Sequence, residues 1–263
     1  MKKYFCISDV HGQYKKMIAA LDKARFDKEH DTLVVLGDSF DRGYWNREVL
    51  DFILDCPHRI LIWGNHDRRL MEIALGSPID QYDKKNGTTI SVIDFAHDYV
   101  DEKDRGNLYI CANALEKNRK LWQYFRECHF AVEFPDMIMT HAWLPVWTLV
   151  GRNAPELFDD WRETDRQNWS YATWVNTYNL LDSPYNVFPE KTIMVGHWWA
   201  WNIAEKYGEI RTRDARIKDP DLDCSTYIYG DKAIFIDGCA NYKNGGCVNV
   251  YVYESDAEPT FIK

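Results

Sequence analysis

Short apolar runs alternate with amphipathic segments of helical length in the first quarter of the chain. The runs at 4–8, 32–36 and 59–63 are rich in β-branched and aromatic residues and have the length of buried strands. Segments 13–23 and 46–55 lie between them and carry apolar residues at helical spacing. This alternation predicts a β-α-β-α-β unit with parallel strands, and therefore an α/β fold.

Further strands are predicted in the second half of the chain. Four apolar runs have strand length: 137–140, 192–195, 233–237 and 248–253. The last two flank the turn sequence Asn244-Gly245-Gly246. They therefore predict a β-hairpin near the C-terminus.

The regions between these strands show less order. The stretch at 76–106 and most of 142–190 have no regular pattern, whereas 116–128 has the pattern of a helix. A length of 263 residues favours one domain over two. We therefore expect a single domain over 1–263, with partly helical cap insertions at about 76–130 and 142–190.

The composition is that of an ordinary globular protein, with 46% hydrophobic and 28% charged residues. Because 41 acidic and 32 basic residues give a net charge of -9 and no basic run is present, we expect no nucleic-acid polymer as a partner. No run has membrane-spanning length, and Asp9 interrupts the first apolar run. The seven cysteines show no CxxC spacing. These features predict a cytoplasmic protein with reduced thiols and no membrane partner.

Polar side chains suited to metal binding follow the predicted strands. Five strands run into Asp9-Val10-His11-Gly12, Gly37-Asp38-Ser39-Phe40-Asp41-Arg42-Gly43, Gly64-Asn65-His66-Asp67, His141 and Gly196-His197. In open α/β sheets the ligand crevice lies outside the carboxyl ends of the strands. We therefore expect these segments to converge, although they are far apart in the sequence.

Six of these side chains form a set of oxygen and imidazole ligands: Asp9, His11, Asp38, Asn65, His141 and His197. A set without thiolate suits manganese, iron, zinc or magnesium. Six ligands are more than one ion needs, so we predict two divalent ions ~3.5–4 Å apart, with Asp38 bridging them. Manganese is the first choice among the four metals.

The first three strand-end motifs and Gly196-His197 resemble the signatures of the calcineurin-like metallophosphoesterases. The ending Asp41-Arg42-Gly43 resembles the phosphoprotein phosphatase branch, which includes bacterial and phage serine/threonine phosphatases and symmetrical diadenosine tetraphosphate hydrolases. The resemblance extends over 4–253. It implies a four-layer α/β/β/α sandwich.

The resemblance also implies roles for individual residues. It implies two metal positions, one formed by Asp9, His11, Asp38 and His197, the other by Asp38, Asn65 and His141. It implies that His66 protonates the leaving oxygen, that Asp41 orients His66, and that Arg42 binds a phosphate oxygen. Asn65 is a further candidate for substrate binding. Imidazole, carboxylate and guanidinium groups have the chemistry that these roles require.

Two features depart from the branch. Asp67 stands where the branch usually has Glu, and the Asp form is commoner among relatives that cleave diesters or other substrates. The stretch at 173–176 lacks the second phosphate-binding arginine of the branch. Arg152, Arg162 and Arg166 are candidates to replace it.

The sequence therefore predicts a phosphomonoesterase similar to serine/threonine protein phosphatases, in which a metal-bridging hydroxide attacks phosphorus in line. Its partner would be a phosphoprotein or a small phosphate ester. Asn86-Gly87-Thr88-Thr89 resembles a pattern of bacterial phosphatases and favours this function. The alternative is a diadenosine tetraphosphate hydrolase or another phosphodiesterase or anhydride hydrolase, because eight of the eleven tryptophans lie at 143–201, where indoles can stack on a base. A non-catalytic scaffold is a third hypothesis, which the complete ligand set disfavours.

Overall fold

In the computed structural model, the described residues are 1–147, 155–208, 224–242 and 246–263. Their strands are β1 (Lys2–Ile7), β2 (Thr32–Val35), β3 (Arg59–Ile62), β4 (Cys128–His129), β5 (Ala131–Glu133), β6 (Met137–Thr140), β7 (Val146–Trp147), β8 (Glu156–Leu157), β9 (Thr192–Val195), β10 (Tyr227–Tyr229), β11 (Ala233–Phe235), β12 (Tyr251–Ser255) and β13 (Thr260–Ile262). Their α-helices are α1 (Tyr14–Ala24), α2 (Asn46–Asp55), α3 (Asn65–Ala74), α4 (Gln81–Asn86), α5 (Thr88–Ala96), α6 (Leu108–Ala114), α7 (Arg119–Glu127), α8 (Arg166–Ala172), α9 (Thr177–Leu180) and α10 (Ala200–Tyr207). Short 3₁₀ helices span His97–Tyr99, Glu102–Asp104 and Leu115–Lys117. None of these helices has both the length and the apolar composition that crossing a bilayer requires.

The first sheet has the strand order β12-β1-β2-β3-β4. Strands β1 to β4 run parallel, and β12 pairs with β1 in the antiparallel sense. The predicted β-α-β-α-β unit is confirmed, since α1 and α2 connect the first three strands. Helix α2 begins and ends at the predicted residues, and α1 is shifted by one residue.

The second sheet has the order β10-β11-β9-β6-β5-β13. Strands β6, β9 and β11 are parallel to one another, and the remaining pairs are antiparallel. Strands β6 and β9 occupy the predicted residues. Both sheets therefore have parallel strands at their centres, and these strands carry the polar segments at their carboxyl ends.

The two sheets face each other, and helices cover their outer faces. Because successive strand residues point to opposite faces, Cys6 and Val34 of the first sheet join Met139 of the second sheet in one buried cluster. Ile7 points the other way and joins a second cluster with helix residues such as Leu50. The predicted four-layer α/β/β/α sandwich is confirmed.

The stretch at 76–106, which has no regular pattern in the sequence, contains α4 and α5. Asp80 caps α4 by accepting a hydrogen bond from the backbone N–H of Asp83. Helices of six and nine residues are too short to produce a clear periodic pattern. The stretch at 142–190 likewise contains α8, α9 and the β7–β8 pair.

The predicted C-terminal hairpin was wrong. Strand β11 belongs to the second sheet and pairs with β10 and β9, whereas β12 belongs to the first sheet and pairs with β1. Ile234 and Tyr253 both face the cluster between the sheets, so the two strands bury their apolar sides from opposite layers. Asn244 and Gly245 of the predicted turn lie outside the described residues.

Candidate metal centre and active site

The strand ends of the two sheets meet in one buried cluster, as their order along the sheets predicts. Asp38 lies at its middle: one carboxylate oxygen is 3.7 Å from Nε2 of His11, and the other is 3.4 Å from Nε2 of His141. Within the part of the chain that the structure describes, two groups have ligand atoms close enough together to hold an ion, namely His11, Asp38 and His66, and Asp38, His141 and His197. Asp38 belongs to both groups, which is the position of a bridging ligand.

Two of the histidines have their Nε2 atoms directed into the cluster by backbone hydrogen bonds. Nδ1 of His11 bonds to the carbonyl oxygen of Phe40 at 2.9 Å, and Nδ1 of His141 bonds to that of Leu36 at 2.7 Å. A carbonyl oxygen can only accept, so each Nδ1 carries a proton and donates it. In the neutral ring, the lone pair of Nε2 then faces the cluster, which is the usual arrangement of metal-binding histidines.

The surroundings of His141 fit a divalent cation. Its Nε2 lies 2.9 Å from Oδ1 of Asn65 and 3.4 Å from Oδ1 of Asp38. Three electron-rich atoms thus face the same small volume, where they repel one another unless a positive charge lies among them. Imidazole, carboxylate and amide oxygen are also the donors that manganese, iron, zinc and magnesium accept in proteins.

His197 takes a different position from the one that the family resemblance implied. Its ring lies 5.0 Å from the ring of His141, and its imidazole groups with His141 and Asp38. Its contact with Asp9 is made by the backbone, since the N–H of His197 donates to Oδ2 of Asp9 at 2.8 Å. The imidazole therefore lies on the His141 side of Asp38, whereas His11 lies 3.9 Å from Asp9 on the other side.

Burial and mutual electrostatics set the protonation of the cluster. Burial works against ionisation of Asp38, but His141 and the other histidines outweigh it and hold the pKa of this carboxyl well below its usual value. Burial lowers the pKa of His197 to about 3 and that of His11 well below its usual value. Burial raises the pKa of Asp9 to about 6. Neutral imidazole and ionised carboxylate are the forms that bind metal, and three of these four groups favour them.

His66, Asp41 and Arg42 form a hydrogen-bonded chain beside the cluster. Nδ1 of His66 lies 2.7 Å from Oδ2 of Asp41. Arg42 donates from Nη2 to Nε2 of His66 at 2.9 Å, and from Nη1 to Nε2 of His11 at 2.6 Å. Burial opposes protonation of His66, but Asp38 and the hydrogen bond to Asp41 outweigh it and raise the pKa of the ring.

The backbone of the site is strained. Six of the eight described non-glycine residues with positive φ are predicted site residues: Asp9, His11, Asp38, Asp41, Arg42 and His197. Such conformations cost about 1–3 kcal/mol each and persist where surrounding contacts enforce them. Here the enforcing contacts include backbone hydrogen bonds from Asp9 to Gly37 and from His11 to Asp38. The sequence motifs locate these side chains at strand ends, but they do not reveal the backbone turns that orient them.

The third motif, Gly64-Asn65-His66-Asp67, forms the start of helix α3 and contacts the second motif at Asp38 and Ser39. A Cβ on Gly64 would lie 2.2 Å from the backbone N of Asp38, so only glycine fits there. The carboxylate of Asp67 accepts from the backbone N–H groups of Asp38, Ser39 and Gly64 at 2.8, 3.1 and 3.2 Å. Asp67 is fully buried and faces backbone. Its departure from Glu therefore has a structural role, which the sequence did not reveal.

The candidates for a second phosphate-binding arginine differ in their contacts. Arg162 bonds to both carboxylate oxygens of Glu133 and to Glu190, so its guanidinium is committed to ion pairs. Arg166 is the first residue of α8. Arg152 lies outside the described residues.

Two facing sheets with imidazole, carboxylate and amide ligands at their strand ends define the class of metal-dependent phosphoesterases. The family of calcineurin-like phosphoesterases matches residues 2–232, and the chain therefore belongs to that family. The predicted membership of a phosphoester hydrolase family is confirmed. The family also implies divalent metal ions, which the donor set described above fits.

Known proteins with similar sequences and structures carry several different activities in their names. A protein of Vibrio vulnificus (strain CMCP6) named bis(5'-nucleosyl)-tetraphosphatase, symmetrical, is 25% identical over 168 residues, which cover 63% of this chain and 54% of the relative. The chain thus spans about half, or less, of the length of the curated relatives it matches. A cold-active protein-tyrosine phosphatase of a psychrophilic Shewanella species superposes with a TM-score of 0.52 at 18% identity, covering 100% of this chain and 81% of that one. A putative diadenosine tetraphosphatase superposes with a TM-score of 0.51 at 16% identity, covering 95% and 93%. At these identities, the two structures show a shared fold.

Proposed function

We propose that the protein is a phosphomonoesterase with two divalent metal ions, similar in its chemistry to serine/threonine protein phosphatases. The position of Arg42 carries this proposal. Its guanidinium bonds to Nε2 of His66 and to Nε2 of His11 at once. The group that would bind phosphate thus lies within hydrogen-bonding distance of the imidazole that would donate the proton and of an imidazole that would hold a metal ion, which supports phosphate-ester hydrolysis.

The metal ions would be held on the two sides of Asp38, with Asp9 and His11 on one side and Asn65, His141 and His197 on the other. When bound, such ions lower the pKa of water and neutralise phosphate charge. Manganese is the first candidate, and iron, zinc and magnesium are alternatives, because all four accept oxygen and imidazole donors.

The chain's own residues supply the remaining chemistry. Arg42 can exchange its two imidazole contacts for paired hydrogen bonds to non-bridging phosphate oxygens. This exchange leaves Nε2 of His66 free to carry a proton while Asp41 holds Nδ1. His66 then donates that proton to the leaving oxygen of the ester.

Hydrolysis of a dinucleoside polyphosphate is the second candidate function. The Vibrio vulnificus relative bears the name of such an enzyme. A cavity of about 490 Å³ also lies among Trp147, Tyr171 and Trp174, whose rings could stack on a nucleobase. Helix α9 borders this cavity through Asn179 and Leu180, and Thr177 at its start donates to the carbonyl oxygen of Ala142, the neighbour of His141.

Metal content and substrate turnover test these proposals. We expect about two metal ions per purified chain, and turnover of nitrophenyl phosphate that depends on added manganese. Comparing the turnover rates of a phosphopeptide and of diadenosine tetraphosphate in the same sample shows which of the two functions is favoured. A metal-free protein that hydrolyses none of these under any divalent ion would refute both. The cytoplasmic location and the single domain with two cap insertions remain parts of the proposal.

A further inference from the structure

The carboxylate of Asp41 is held on both of its oxygens by hydroxyl groups from helix α5. Thr88 donates to Oδ2 of Asp41 at 2.6 Å, and Ser91 donates to Oδ1 at 2.6 Å. The oxygen that accepts from Thr88 also accepts from Nδ1 of His66 at 2.7 Å. All four side chains are at most 5% exposed. Water is therefore kept from replacing either hydroxyl.

This geometry fixes the direction of the carboxylate. Ser91 also accepts from the backbone N–H of Asp41 at 2.9 Å, so two hydrogen bonds join these residues. Thr88 and Ser91 are three positions apart and lie on the same face of α5. A carboxylate that accepts a hydrogen bond on each oxygen from one rigid helix cannot rotate without breaking one of them.

Helix α5 also begins against the residue next to Asp41. A Cβ on Gly87 would lie 2.6 Å from the backbone N of Arg42, so the chain before α5 packs directly on Arg42. Asp41 and Arg42 have φ angles of 71° and 64°, which non-glycine residues rarely adopt. Contacts with the α5 segment are therefore well placed to hold this strained pair in position.

We propose that Thr88 and Ser91 are positioning residues for phosphoester hydrolysis. They orient the Asp41 carboxylate, which in turn orients the His66 ring so that Nε2 faces the leaving oxygen. The inference rests on the proposed function, in which His66 is the proton donor. Helix α5, which lies in the cap predicted at about 76–130, would then help to align catalytic side chains.

Substitution of Thr88 tests the proposal against a purely structural role. Thr88→Val removes the hydroxyl and keeps the shape, whereas Thr88→Ser keeps the hydroxyl. We expect Thr88→Val to lower kcat on an alkyl phosphate by about tenfold or more, with a smaller loss on nitrophenyl phosphate, because only the poor leaving group needs a well-aligned proton donor. Thr88→Ser should restore most of the activity. Thr89→Val is the matched control, since it makes the same change one residue along α5, where no hydrogen bond to Asp41 is made.

A double-substitution cycle isolates the path through His66. In a His66→Asn background, Thr88→Val should cause no further loss of kcat, because the group that it aligns is gone. Ser91→Ala should behave like Thr88→Val, which keeps the test open if one variant folds poorly. Equal losses on both substrates, or full additivity with His66→Asn, would overturn the proposal.

Nuclear magnetic resonance of ¹⁵N-histidine-labelled protein gives a readout that does not depend on activity. The Nδ1–H signal of His66, assigned by its loss in His66→Asn, should shift in Thr88→Val and stay in place in Thr89→Val. An unchanged signal in Thr88→Val would refute the positioning role even if the enzyme proved inactive. Inactivity of the unaltered protein, in contrast, would count against the proposed function alone.

Discussion

Nδ1 of His66 lies 2.7 Å from Oδ2 of Asp41, and both side chains are buried. The hydrogen bond occupies Nδ1 and leaves Nε2 as the ring nitrogen of His66 that can give a proton to a substrate. We therefore predict that His66→Asn lowers kcat on an alkyl phosphate about 10²–10⁴-fold, the usual contribution of a general acid. The loss on nitrophenyl phosphate should be smaller, because that leaving group needs less protonation.

Steady-state kinetics on the two substrates, with metal content measured on the same samples, check this prediction. His30→Asn is a suitable control, because His30 is 81% exposed and contacts Asp27 on the surface. Equal losses on both substrates would contradict a proton-donor role for His66. Loss of metal from His66→Asn would show instead that His66 supports the metal centre.

Asp38 belongs to both candidate metal groups, whereas His141 belongs to one. We predict that Asp38→Asn removes both ions, because the amide lacks the negative charge that both positions share. His141→Asn should remove one ion and leave the other. Elemental analysis after gel filtration gives the number of ions per chain. Retention of two ions by Asp38→Asn would contradict the bridging position.

The motifs of the site could be predicted from the sequence because their residues are neighbours along the chain. Asp9 and His11 are two positions apart, and Asp38 and Asp41 are three apart, so a single strand end presents each pair. Thr88 reaches Asp41 across 47 positions, through the docking of a nine-residue helix that has no distinct pattern. Such contacts depend on tertiary packing, which local sequence does not encode.

The position of His197 could not be predicted for a different reason. Its placement depends on a φ angle of 66°, which directs the backbone N–H to Asp9 and the imidazole towards His141. A motif indicates a candidate ligand, but the turn around that residue decides which of the two candidate metal groups its imidazole joins. The sheet to which each C-terminal strand belongs could not be predicted either, because the apolar alternation of these strands fits either sheet.

Gly87 and Gly76 allow the contact between the α5 segment and Arg42 to be measured. Both have positive φ, at 80° and 98°, but a Cβ would clash with Arg42 only at Gly87, since Gly76 borders open space. Each change to Ala costs about 1–2 kcal/mol of backbone strain. Gly87→Ala should cost a further ~1–3 kcal/mol through overpacking. It should also lower kcat, because Arg42 is displaced.

Denaturant titration gives the free energy of unfolding of both variants, and kinetics on nitrophenyl phosphate give their activity. Gly76→Ala should keep the activity of the unaltered protein. If the two variants lose the same stability and the same activity, the packing of Gly87 on Arg42 does not contribute to activity.

Glu133 couples stability to pH through its ion pairs. It bonds to Arg162 at 2.9 and 2.8 Å and to Lys191 at 2.7 Å. The hydrogen bond from Arg162 is the largest cause that holds the pKa of Glu133 below its usual value of 4.5. A lowered pKa in the folded state means that the stabilisation is present above the unfolded value and is lost as the pH falls through the folded one.

We therefore predict that Glu133→Gln lowers the free energy of unfolding by about 1–3 kcal/mol at neutral pH, the usual cost of losing a charged hydrogen-bond partner. The difference between variant and unaltered protein should shrink as the pH falls below the usual pKa of Glu133. Denaturant titrations at several pH values measure it. Glu258→Gln is the control, because Glu258 pairs with Lys2 where both side chains are more than half exposed and water screens the charges. A pH-independent difference for Glu133→Gln would mean that lost packing, and not the ion pairs, accounts for the destabilisation.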